Sequence, residues 1–200
     1  MQDLDRALAE IGAIKSQLAR AERFHGLGPT AFAATGALAL AAAIGEAHWM
    51  SAVQPVGFLA LWIAVAGISA AVISAEMVGR SRRLHSPLAD EMIGAAVTQF
   101  LPGATVGAAA TLVLLRCAPQ TLWIAPGLWQ ITFGLGVLAS CRFLPRGIAL
   151  VGAWYVGSGL ACLAWAQGPL AFSPWAMGVP FGIGQLMVAA VLRFSGETDA

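Results

Sequence analysis

The chain has 200 residues, of which 58% are hydrophobic and 10% charged, with a formal net charge of +1 and a mean hydropathy of +0.77. A soluble domain of this size carries roughly a quarter of its residues as Asp, Glu, Lys or Arg, so this composition excludes one and predicts an integral membrane protein. The near-neutral total is the sum of opposed local patches; it argues against nucleic acid as a partner and leaves the lipid bilayer as the expected surroundings.

Residues 2–23 carry the pattern of an amphipathic helix. At 100° per residue Leu4, Leu8, Ile11, Ile14 and Leu18 share one face with Ala7 and Ala21, while Lys15 and Glu22 intrude on it. The charges cancel, with Asp3, Asp5, Glu10 and Glu22 against Arg6, Lys15, Arg20 and Arg23. A helix that binds anionic lipid by electrostatics carries a basic excess. This one is expected instead to pack on the cytoplasmic ends of the bundle or to meet a partner helix. The glycines and proline of Phe24-His-Gly26-Leu-Gly28-Pro29 end it. Residues 1–25 are thus a cytoplasmic or interfacial element ahead of a transmembrane domain at 29–193 and a short polar tail at 194–200. The polar stretch ahead of the first apolar run, and the lack of a cleavage site after it, predict a retained anchor rather than a cleaved signal peptide.

Six apolar runs follow, at residues 30–47, 53–78, 92–115, 121–141, 148–166 and 174–192. Each is near the roughly twenty helical residues that a hydrocarbon core of about 30 Å demands. Prolines at 29, 55, 87, 119, 145 and 174 mark first helical turns or connections. The expected fold is an all-α polytopic bundle of six transmembrane helices.

Orientation follows from the basic residues. Arg6, Lys15, Arg20 and Arg23, then Arg80, Arg82 and Arg83, then Arg142 and Arg146, and finally Arg193 fall on one side, against Arg116 alone on the other. Both termini are therefore expected in the cytoplasm. Spans 2, 4 and 6 each place a Trp before an Arg (Trp62 and Arg80, Trp123 and Arg142, Trp175 and Arg193). An aromatic belt and the positive-inside bias impose that spacing on any outward-to-inward helix, and a triplicated hairpin is the rarer explanation.

The largest charged cluster lies between spans 2 and 3. Arg80, Arg82 and Arg83 anchor the topology with His85 beside them, and Glu76 is spaced to pair with Arg80 at i,i+4. Ser86 and Pro87 read as N-cap and first helical residue, with Asp90 and Glu91 near the positive helix end. The same cluster is a candidate docking surface for a protein partner.

Within the spans the polar candidates are Gln99, Gln130, Tyr155 and Gln185. Amides at that depth either cross-link helices by hydrogen bonds or converge on a polar cavity, with Pro102 and Pro180 loosening the helices beside it. Small residues such as Gly103 and Gly107, Gly178 and Gly182, with Gly134, Gly136, Gly157, Gly159 and Gly184, predict close helix packing or a homo-oligomer face. His25, His48 and His85 fall at interfaces and do not pair. Cys117, Cys141 and Cys162 read as buried packing thiols, so no metal site, cofactor or disulfide is expected. No nucleophile, metal or nucleotide motif is present, and no catalytic activity is expected.

The segments Ala75-Glu-Met-Val-Gly-Arg-Ser-Arg-Arg-Leu-His85, Gly127-Leu-Trp-Gln130, Ala139-Ser-Cys-Arg-Phe-Leu-Pro145 and Ser173-Pro-Trp-Ala-Met-Gly178 resemble a group of bacterial, alphaproteobacterial, six-span inner-membrane proteins. The resemblance covers the whole chain. It implies a bacterial inner membrane and brings no activity to any residue. The leading expectation is a non-enzymatic structural, regulatory or accessory membrane protein. The second is a small transporter or channel lined by the glutamines.

Overall fold

The computed structural model describes residues 28–49, 54–84, 87–141, 144–145 and 147–197. The amphipathic segment 1–25, His85, Ser86, Arg142 and Arg146 lie outside them, as do the side chains of Arg82, Arg83, Asp90 and Glu91. Among the described residues the chain is all helix: α1 (Pro29–Trp49), α2 (Pro55–Leu84), α3 (Pro87–Cys117), a 3₁₀ turn (Pro119–Ile124) leading into α4 (Ala125–Ser140), α5 (Ile148–Trp165), a second 3₁₀ turn (Gly168–Phe172) and α6 (Pro174–Glu197).

Five of the prolines open helices or 3₁₀ turns, at Pro29, Pro55, Pro87, Pro119 and Pro174. There the missing N–H would have had no intrahelical partner, and the fixed φ suits the first turn. Pro145 falls instead in the α4–α5 connection. Six helical segments, from Pro29–Trp49 to Pro174–Ser195, are each long and apolar enough to cross a membrane, so the chain is a multi-pass membrane protein. The expected spans match them within a few residues; α2 and α3 run further than their apolar cores because the charged stretch between them stays helical on both sides.

Packing runs in the spatial order α2, α1, α6, α5, α4, α3, an open arc whose two ends are consecutive in sequence. Close backbone approach sets the tightest seams. A Cβ built on Gly134 would stand 2.8 Å from the Gly152 carbonyl oxygen, and one on Gly159 would stand 2.7 Å from that of Gly127. The two glycine pairs are seven residues apart on each helix, about two turns, so α4 and α5 touch backbone to backbone along one stripe. On α1 the buried stripe Ala31, Thr35, Ala39, Ala43 and Glu46 repeats every three or four residues and faces Gly178 and Gly182 of α6. At the end where α1 finishes, Phe58, Leu59, Trp62 and Val65 of α2 form a core with Leu122, Ala125, Phe172 and Met177.

Gly157 departs from the close packing expected of it: nothing lies within 4 Å of where its Cβ would be. Cys117 is exposed, not buried as expected, because it closes α3 at the edge of the arc; Cys141 is half-buried and Cys162 buried, and all three are free thiols.

Candidate functional site

The four polar residues singled out within the spans take three different situations. Gln130, one turn into α4, is fully buried. Its Nε2 donates to the Ala176 carbonyl of α6 at 2.9 Å and lies 3.9 Å from the Met177 sulfur. The Ala176 carbonyl is the one that Pro180, four residues on and inside α6, leaves without its intrahelical donor. In lipid such a carbonyl has no water to turn to. The glutamine supplies the missing N–H from a neighbouring helix, and its own Oε1 stays without a partner.

Gln185 is the second situation. Its Oε1 lies 3.4 Å from the Thr35 hydroxyl of α1, whose single proton has a nearer acceptor in the Phe32 carbonyl of its own helix, 2.9 Å away. Tyr155 of α5 is fully buried, and its phenol tip lies against Gly184. The hydroxyl lies beside the Gln185 side chain without reaching strict hydrogen-bond geometry with it. Its ring belongs to an aromatic cluster with Phe133 and Phe181, centroids 4.7 Å and 5.1 Å away. Phe133 in turn meets Phe181 at 5.3 Å and Phe100 of α3 at 5.1 Å.

Gln99 is exposed on the outer side of α3. The three glutamines therefore do not converge. Nine residues of α6 separate Ala176 from Gln185, about 13 Å along the axis, and the rings of Phe133, Tyr155 and Phe181 sit at the level between them. Other polar side chains in the spans are engaged in the same manner as Gln130. Trp129 donates to the Thr111 hydroxyl at 2.7 Å, Ser140 to the Ala96 carbonyl at 2.9 Å and Trp154 to the Pro180 carbonyl at 3.0 Å. Each joins two helices.

In the charged cluster, Glu76 pairs with Arg80 at 2.9 Å, as the spacing predicts. Its carboxylate also accepts from the Thr30 hydroxyl at 2.9 Å and lies over Gly28. No local spacing predicts this contact, which ties the end of α2 to the first turn of α1. A carboxylate at that position faces the positive end of the α1 dipole.

Glu46 is not among the polar residues that the sequence pattern singles out, since it stands only three residues from the end of α1. The structure places it on the buried stripe of α1 at 7% exposure, with Oε2 accepting from Trp62 Nε1 at 3.1 Å. The available signal was its phase: Ala31, Thr35, Ala39, Ala43 and Glu46 fall on one helical face.

Among the described residues no three of His, Cys, Asp and Glu gather closely enough to hold a metal ion. No protein-family model matches the chain, and neither a curated protein nor a solved structure shows significant similarity to it.

Proposed function

We propose that this chain is a non-enzymatic, six-span inner-membrane protein that serves as a structural, regulatory or accessory partner, with both termini in the cytoplasm. The observation that carries this reading is the employment of Gln130. The most deeply buried amide of the spans is committed to the carbonyl that Pro180 frees, and Gln185 lies against Thr35 of α1. Side chains occupied in holding helices together are poor ligands for a passing substrate. Docking falls to the cytoplasmic end, where the Glu76 cluster lies beside the start of α1 and the amphipathic segment 1–25 precedes it in sequence.

The test is purification of the intact protein by mild chemical cross-linking, with and without residues 1–23. A stoichiometric partner that disappears on truncation supports the reading. A second reading, a transport pathway, is favoured by two buried polar atoms without a hydrogen bond of good geometry, Gln130 Oε1 and the Tyr155 hydroxyl. Replacing Gln99, Gln130 and Gln185 together by leucine separates the two. Loss of solute flux in vesicles at unchanged stability argues for the pathway; lowered stability with no flux to lose argues for the structural role.

A further inference from the structure

Glu46 is a carboxyl group inside a membrane span, and an ionisable residue there needs a compensating partner. Its bonded partner in the structure is a neutral indole N–H, that of Trp62 at 3.1 Å. Trp62 belongs to a buried apolar core with Ala43, Phe58, Leu59, Val65 and Met177.

Among the described residues no cation pairs with it. On α1 itself His48 is exposed, and its Nδ1 lies 2.9 Å from the Ile44 carbonyl of its own helix. On α2 the first ionisable residue is Glu76, fourteen residues beyond Trp62 and about 21 Å away along the axis. The connection 50–53, the two 3₁₀ turns and the opening turns of α6 carry no ionisable side chain. Arg116 is exposed at the end of α3.

We propose that Glu46 is a proton-binding site within the membrane, reached from the Trp49 end of the bundle, which carries its proton at neutral pH and in that form fastens α2 to α1 through Trp62. A carboxylate in these surroundings would have one neutral donor for a full charge, whereas the neutral acid still accepts the indole N–H through its carbonyl oxygen and leaves no charge among apolar side chains. The ligand is the proton itself. Alkaline pH removes it and leaves a charge beside Trp62; the indole N–H keeps an acceptor, but the cost of holding a desolvated carboxylate then weighs against the packed α1–α2 arrangement, so the seam is weakened as pH rises through the ionisation.

The experiment is infrared spectroscopy of the intact chain reconstituted in phosphatidylcholine vesicles. The wild type is expected to show, at neutral pH, a carboxylic-acid C=O band that is missing from Glu46→Gln and that gives way to carboxylate bands on alkalinisation. A spectrum without a Glu46-dependent acid band at neutral pH overturns the proposal. Trp62→Phe should keep the band and move it to higher frequency, because its carbonyl loses a donor; an unmoved band overturns the part assigned to Trp62. Should Glu46→Gln fail to accumulate, dicyclohexylcarbodiimide, which attacks protonated carboxyls in apolar surroundings, decides on the wild type alone. Labelling of the α1 peptide at Glu46 should fall about tenfold per pH unit above the ionisation. No adduct at Glu46 at neutral pH overturns the proposal equally.

Discussion

Gln130 and Pro180 lie on different helices and act on the same atom: the proline removes the donor from the Ala176 carbonyl, and the Gln130 amide restores one at 2.9 Å. The two positions should therefore be coupled. Gln130→Leu alone is expected to cost about 1–3 kcal/mol, the range for stranding a buried acceptor. In a Pro180→Ala background, where the helix supplies its own N–H, the same substitution should cost markedly less. Unfolding in mixed micelles across the four proteins measures the difference, and additive losses would contradict the compensation.

The α4–α5 seam makes a second expectation. Gly134→Ala or Gly152→Ala drives a methyl into a backbone carbonyl and into the Val156 or Leu138 side chain, and overpacking of this kind costs about 1–3 kcal/mol. Gly157→Ala, on the same α5 but facing open space, should be neutral or stabilising by up to about 1 kcal/mol, through helix propensity. Thermal stability of the three variants in one detergent checks the contrast.

How far the sequence reached can be judged on these same residues. The spans were readable because hydropathy sums over about twenty positions and prolines punctuate the ends, so errors at single residues average out. Side-chain destinations do not average. The inward face of α3 is set by Phe100, Gly103, Gly107 and Thr111 against α4, and Gln99 lies about 80° around the helix from it. One residue of phase thus decides between a cavity and the outside. The carbonyl freed by Pro180 was implicit in the sequence, but nothing local said that a glutamine fifty residues earlier would reach it. The role of Glu46 is not legible in the sequence because its partner, Trp62, stands on another helix, a register that no single-span pattern contains.

At the opposite end of the α1–α2 seam, Thr30 and Arg80 share the Glu76 carboxylate. Both are partly exposed, so Thr30→Val and Glu76→Gln should each cost under about 1 kcal/mol. Gly28→Ala is more informative. Its methyl would occupy the place of the Glu76 carboxylate and push a flexible side chain aside, so its effect should largely vanish in a Glu76→Ala background. A double-mutant cycle on unfolding free energies reads this directly.

Gly168, at the start of the second 3₁₀ turn, holds φ at +59° with open space around it. Gly168→Ala therefore meets backbone strain and no clash, and about 1 kcal/mol of destabilisation is expected. Gly168→Asn should cost less, since asparagine tolerates this region. The ranking of the two variants by thermal unfolding is the check.

The seam between α1 and α6 has a consequence in time. Thr35 and Gln185 are 150 residues apart, and at synthesis rates of about 5–20 residues per second the first waits roughly 8–30 s for the second. During that interval α1 lacks α6 against its small-residue stripe, and of its two main packing neighbours only α2, joined to it at both ends by Trp62 and Glu76, has been made. The early α1–α2 hairpin is thus a holding arrangement, and a chain cut short before residue 174 would present the cell's quality control with a helix still missing its principal neighbour.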